Sequence, residues 1–314
     1  MNLHNDKKLF SDTLRSASQY LNIKLEFVEK DYWITLVLNR LARSKYVSEA
    51  VFKGGTSLSK GYNMIERFSE DIDIAIVFDK AKTGNKIKTI IRTIEKEITQ
   101  DLTEIQMNGV TSKGSRFRKS VFQYVSIDKS NQNNKLIVEI NSFANPFPFQ
   151  QLNLKSFVFD FLKQTGNIKY TEQYTLRPFD VNVLNKEQTL LEKTVSLIRF
   201  SFEENFIESI SSKIRHFYDL YFLMKDLECF EFVASDEFKP KFIEILQHDR
   251  KMFDEPLGWQ TKLVTESPLI NDFENIWKQQ KAKYQTELTA LAYRTIPDEE
   301  SVAKSFIELT NRIK

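Results

Sequence analysis

The sequence predicts an α+β protein in which strands and helices share the first half and helices alone make the second. Three observations predict this. Apolar and polar residues alternate over 71–78, and 115–128 and 135–141 also read as strands, joined by the polar turn Lys129–Asn134. Beyond about residue 165 the apolar period is helical. Gly 8 and Pro 7 in 314 residues leave few tight turns and favour long helices. The length predicts two domains at about 150 residues each. We set them at 1–165 and 166–314, with 150–180 as a loosely defined junction.

Taken in order, residues 7–20 form a first helix with Leu9, Phe10, Leu14 and Tyr20 on one side. Residues 26–43 form a second, striped by Phe27, Ile34, Val37, Leu38 and Leu41. Ala50–Lys53 is a short extended piece leading to Gly54-Gly55, after which Thr56–Tyr62 starts a helix. In 71–78, Ile72, Ile74, Ile76 and Phe78 share one strand face, and Asp71, Asp73, Ala75 and Val77 share the other. An amphipathic helix covers 85–106. Further helices cover 186–203, 205–225, 236–249 and 268–291.

The composition excludes several classes. Lys plus Arg total 45 and Asp plus Glu 43, a net charge of +2. The chain is therefore no polycation, although local basic patches remain open. Lys113, Arg116, Arg118 and Lys119 beside Phe117 form one such cluster, suited to a nucleic-acid backbone or to a solvated hairpin. The single cysteine, Cys229, excludes an internal disulfide framework and suits a reducing, cytoplasmic setting. No secretory leader or membrane span is expected. Three histidines and one cysteine make a Cys/His zinc site a poor fit, so a metal would sit on carboxylates, which favours Mg²⁺.

The segment Lys53–Phe78 carries the chemistry. Residues two apart on a strand point the same way, so Asp71 and Asp73 project together. Two ionised carboxylates that close call for a cation. Gly54 and Gly55 let backbone approach a phosphate, and the helix start with the Thr56 and Ser57 hydroxyls can donate to its oxygens. A phosphate cradle beside a metal-binding carboxylate pair is the equipment of nucleotidyl transfer. A double glycine is more often a plain turn, and Asp-x-Asp more often a solvated strand edge. Their joint occurrence in the order strand, glycine turn, helix, strand favours the chemical reading.

GGTSLSKGY at 54–62, RFSEDIDI at 67–74, EKDYW at Glu29–Trp33 and RHFYDLYFL at Arg215–Leu223 together resemble the AbiEii/AbiGii toxin family of the nucleotidyltransferase superfamily. The resemblance implies an α/β-like nucleotidyltransferase core, a small mixed sheet flanked by helices, and a helical domain that completes the active-site cleft. It directs attention to Lys193 and Asp219 as further site residues. Lys193 lies at the edge of the stripe Leu190, Leu191, Thr194, Leu197 and Ile198. It would bind nucleotide phosphates, or it is a snorkelling surface lysine. Asn185 with Gln188 resembles a capping box opening that helix. Asp219 sits in an apolar run. It is either paired with Arg215 or a metal-associated carboxylate or proton acceptor. Glu139 is a third metal-ligand candidate, or a solvated strand residue. His216 stands where many relatives carry Asp and reads as packed. The charges of 29–33 read as helix-surface pairs.

The expected activity is Mg²⁺-dependent transfer of NMP from an NTP to an acceptor hydroxyl. The resemblance implies an RNA acceptor such as a tRNA 3′ end, a role in a toxin–antitoxin or phage-defence pair, and an antitoxin partner. Transfer to a protein side chain or small molecule is the alternative within enzymes. A catalytically inactive nucleotide-binding module is the alternative outside them.

Overall fold

The computed structural model describes residues 1–77, 84–128, 130–131 and 133–314. Phe78 and part of the 129–134 turn therefore lie outside the described residues. Two compact units are present: Met1–Asn63 with Phe68–Leu184, and Met64–Arg67 with Asn185–Lys314.

The first unit holds the strands β1 (Ala50–Lys53), β2 (Asp71–Ile76), β3 (Thr103–Ile105), β4 (Ser112–Lys113), β5 (Phe117–Gln123), β6 (Lys135–Asn141), β7 (Phe149–Leu154) and β8 (Phe179–Leu184). Its helices are α1 (Lys7–Leu21), α2 (Leu25–Ala42), α3 (Gly54–Lys60), α4 (Gly84–Ile98), α5 (Phe157–Gln164) and α6 (Lys169–Gln173). Among the described residues the sheet is mixed and eight-stranded, ordered β3-β5-β6-β2-β1-β8-β7, with β4 beside β5. β2 lies between antiparallel β1 and parallel β6.

The β2 alternation predicted from sequence is present. Ile72, Ile74 and Ile76 are buried, while Asp71 and Asp73 stay half-exposed. Helix α2 packs against β8 and α4, and α4 against β6. α2 is buried nearly all round, its charged residues Glu29, Lys30 and Asp31 included.

Differences from the sequence reading have local causes. The helix expected over 85–106 ends at Ile98, Asp101 turns left-handed (φ 66°), and 103–105 pairs as β3. The first unit continues past residue 165 to Leu184, because β7 pairs with β8 and β8 with β1.

The second unit is helical: α7 (Lys186–Phe200), α8 (Phe206–Ser211), α9 (Ile214–Lys225), α10 (Leu227–Ala234), α11 (Phe238–Met252), α12 (Pro268–Asn271), α13 (Phe273–Leu291) and α14 (Glu299–Asn311). The helix expected over 205–225 is broken at Ser212–Lys213, and that over 268–291 at Asp272. α9 is central and packs on α7, α10, α13 and α14. Phe217 on α9 meets Phe306 and Trp277 with ring centroids 4.9 and 5.2 Å apart. The short segment Met64–Arg67 joins this unit through backbone bonds, with the Tyr293 N–H donating to Glu66 O at 3.0 Å. No helix among the described residues is long and apolar enough to cross a membrane.

Candidate active site

Antiparallel pairing of β1 with β2 sets Lys53 opposite Asp73 and brings the glycine turn beside the acidic strand. Gly54 has φ 79°, a conformation side chains disfavour. A Cβ on Gly54 would also overlap Asp73 Oδ2. Glycine is thus required twice, by its backbone angle and by the carboxylate against it. The hydroxyls expected to meet phosphate have other work. Thr56 and Ser57 are buried; Thr56 Oγ1 donates to Asp71 O, and Ser57 Oγ to Gly54 O at 2.8 Å. They brace the turn, and the half-exposed part of it is the backbone at Gly54 and Gly55.

The strand registers extend this pairing into a row across four strands. Lys53 on β1 is opposite Asp73 on β2, Asp73 opposite Glu139 on β6, and Glu139 opposite Lys119 on β5. The row reads cation, acid, acid, cation. Lys119 Nζ is 3.5 Å from Glu139 Oε2. The Asp73 carboxyl is pushed up to about 7 by burial first, then by the charges of Glu139 and Asp71, against the opposing pull of Lys53 and Lys119.

Crowded hard oxygen donors suit a divalent cation chemically. No three or more His, Cys, Asp or Glu side chains among the described residues are arranged to hold one unaided. Asp71 and Asp73 fit a cation that takes its remaining oxygens from substrate phosphates and water, the usual habit of Mg²⁺. Glu139 stands in register beside them but is paired with Lys119.

The charges of 29–33, read as surface pairs, are buried instead. Glu29 accepts from Ser126 Oγ and the Ile127 N–H, both at 2.7 Å. Lys30 lies 3.2 Å from Glu70, the residue before Asp71. Asp31 accepts from Lys60 Nζ at 2.6 Å and from the Phe157 N–H at 2.8 Å. Phe27 stacks on Phe68 with centroids 4.9 Å apart. α2 therefore anchors both α3 and the approach to β2. The sequence signal was available: charges set inside a helix otherwise apolar on every side.

The basic cluster is divided among acids. Lys113 pairs with Glu104, Arg118 with Glu95 and Lys119 with Glu139. Arg118 is buried in that pair, so the cluster does not present a joint cationic face.

In the second unit Asp219 is fully buried and Lys193 nearly so. Asp219 pairs with Arg67 and Lys193, not with Arg215, which reaches Glu287 at 3.4 Å. Arg67 Nε donates to Asp219 Oδ1 at 2.8 Å and Arg67 Nη2 to Oδ2 at 2.7 Å; Lys193 Nζ is 2.8 Å from Oδ2. Burial alone would raise the Asp219 pKa, but Arg67 and Lys193 outweigh it and hold the carboxyl below its ordinary range. Both carboxylate oxygens are engaged, so the arrangement orients Lys193 rather than offering Asp219 to a metal or a hydroxyl. Arg67 carries no local signal of this role in the sequence, because its partner lies 152 residues away. Burial, Lys193, Lys213 and Arg67 hold His216 well below its usual value against the pull of Asp219, so it is neutral at pH 7. The expected capping box is not formed: Asn185 makes no side-chain cap, and Asn185 Oδ1 and Gln188 Nε2 are buried without partners.

These features can be compared with known proteins. No curated protein matches the chain in sequence. Among solved structures, MenT4, a nucleotidyltransferase toxin from Mycobacterium tuberculosis H37Rv, aligns over 96% of this chain and 89% of its own, with TM-score 0.51 and 16% identity. That similarity shows a shared fold. JHP933 from Helicobacter pylori aligns over 92% of both chains with TM-score 0.41 and 14% identity. The family profile described as nucleotidyl transferase AbiEii toxin, type IV TA system, matches residues 36–304. The match spans both the acidic strand and the Arg67–Asp219–Lys193 cluster, and the chain belongs to the AbiEii family of nucleotidyltransferase toxins of type IV toxin–antitoxin systems.

Proposed function

We propose that this nucleotidyltransferase moves NMP from an NTP onto an RNA hydroxyl, such as a tRNA 3′ end, with Mg²⁺ held by Asp71 and Asp73. The observation that carries this reading is the Asp73 carboxylate seated against Gly54, beside the second acid of the same row. The Gly54 and Gly55 amides would meet the phosphate tail. A bound divalent cation would stabilise charge on the α-phosphate and on the departing pyrophosphate. The acceptor oxygen bonds to the α-phosphorus, the α–β bridging bond breaks, pyrophosphate leaves and the hydroxyl proton is released. Glu139, in register beside Asp73, would join as a third ligand on giving up its pairing with Lys119. Lys193 would contribute positive charge to nucleotide binding, and Asp219 would act on it as a positioning residue. The setting we propose is cytoplasmic, with a cognate antitoxin controlling the enzyme in growth arrest or phage defence.

The test is incubation with each labelled NTP and total RNA. Wild type should label RNA only with Mg²⁺. Asp71→Asn with Asp73→Asn should lower transfer by about 10³-fold or more, since such a site supplies several kcal/mol. Full activity in that folded double variant would reject the assignment. Label appearing in protein or a small molecule instead of RNA would select the second acceptor class. NTP binding without turnover would select an inactive module.

A further inference from the structure

A second cationic feature of the helical unit differs from the ion pairs described above. Arg199, near the end of α7, has its guanidinium carbon 3.8 Å from the Phe253 ring centroid, 5.1 Å from Phe200 and 5.9 Å from Trp259. Lys213 Nζ lies 4.5 Å from the same Phe200 ring. Phe200 therefore carries two cations. Trp259 is buried and its indole N–H donates to Phe253 O at 2.9 Å, which fixes the aromatic shelf. Phe200 and Phe253 stay half-exposed, as do both cations.

Several cations of this unit have acidic partners. Lys186 pairs with Asp226 and Glu228, and Arg215 with Glu287. Arg199 has no hydrogen bond or ion pair among the described residues; Glu203 and Asp249 act on it only at longer range. Ring contacts use the faces of a guanidinium and leave its in-plane N–H donors available. The half-buried Arg199 guanidinium carries a charge that an anion beside it would relieve, and Lys213 on the same ring places a second cation within reach.

We infer that Arg199 and Lys213, on the shelf of Phe200, Phe253 and Trp259, form a grip for the backbone phosphates of single-stranded RNA. Cations interleaved with half-exposed rings suit a strand that offers phosphates and bases together, and such a grip tolerates any base. The inference rests on the reading that RNA is the acceptor, and it adds a binding site on residues separate from Asp71, Asp73 and Lys193.

The experiment uses the full-length protein and a fluorescein-labelled single-stranded RNA of about 12 nucleotides, long enough for one such groove. Anisotropy is recorded over a salt series without NTP. Arg199→Gln and Lys213→Gln should each weaken binding by about 3- to 10-fold, and each should flatten the log–log salt slope by about 0.7. Arg199→Lys should recover the slope and only part of the affinity, because it keeps the charge and loses the flat stack. Circular dichroism confirms the fold of each variant, and Lys213→Gln serves if Arg199→Gln does not fold. Unchanged affinity and slope in the folded variants, or no RNA binding by wild type, would overturn the inference. Loss of binding in the variants while wild-type transfer labels only protein would uphold the grip and reject RNA as acceptor.

Discussion

Asp73 is partly and Asp219 fully withdrawn from water, yet their acidities move in opposite directions. Asp73 faces Glu139 and Asp71, and its carboxyl is pushed up to about 7. Asp219 is the more deeply buried, yet Arg67 and Lys193 hold it below its ordinary range. Burial opposes ionisation at both positions, so the neighbours decide the sign. The first arrangement carries excess negative charge that a cation would relieve. The second carries one carboxylate against two cations and is closed by its own partners. One is an open site in electrostatic terms, and the other is a brace.

Replacement of Asp219 is the sharpest way to break this contrast. Asp219→Ala leaves two buried cations without their carboxylate and should destabilise the protein by about 3–5 kcal/mol in urea titrations at pH 7. The folded carboxyl is more acidic than the unfolded one. Its contribution is therefore complete above about pH 4 and fades as pH falls below, so the penalty should shrink there. An equal penalty at pH 3 and pH 7 would mean that packing, not charge, holds this cluster.

Gly54→Ala comes next, with an expected loss of about 1–3 kcal/mol from its left-handed backbone and the overlap with Asp73. A double-mutant cycle separates the two causes. Adding Asp73→Ala should return the overlap share and leave the backbone share. Strict additivity in urea titrations would show that Asp73 does not press on the turn.

The smallest effect tests Asp73 alone. Its folded carboxyl is less acidic than the unfolded one, so wild type should lose stability as pH rises from about 4 to about 7. Asp73→Asn removes that slope. At pH 8 without divalent cation the variant should be more stable than wild type by about 1–2 kcal/mol, a gain moderated by residual solvent around the carboxyl. At pH 4 the two should melt together. A variant less stable at pH 8 would show that Lys53 and Lys119 already neutralise the acids.

Local pattern carried much of this molecule. The alternation of Ile72, Ile74 and Ile76 places Asp71 and Asp73 on the other face, and the double glycine before Thr56 marks the turn. Strand register was not readable. Nothing in the spacing says that Lys53, Asp73, Glu139 and Lys119 stand in one row, because that depends on three separate pairings. Partners distant in sequence were hidden for the same reason: Arg215 is a local neighbour of Asp219, while its actual partner Arg67 comes from the other half of the chain. The sequence conceals β7, an edge strand whose Gln150, Gln151 and Asn153 dilute its apolar signal, and with it the pairing that brings β8 into the first unit.

The four-residue excursion Met64–Arg67 has a consequence for any attempt to dissect this protein. The polypeptide passes from one compact unit to the other three times, at 63–64, 67–68 and 184–185. A fragment cut after Leu184 would leave Asp219 with Lys193 and without the bidentate guanidinium of Arg67. The two units are distinct as packed bodies, but they are not separable as consecutive stretches of gene.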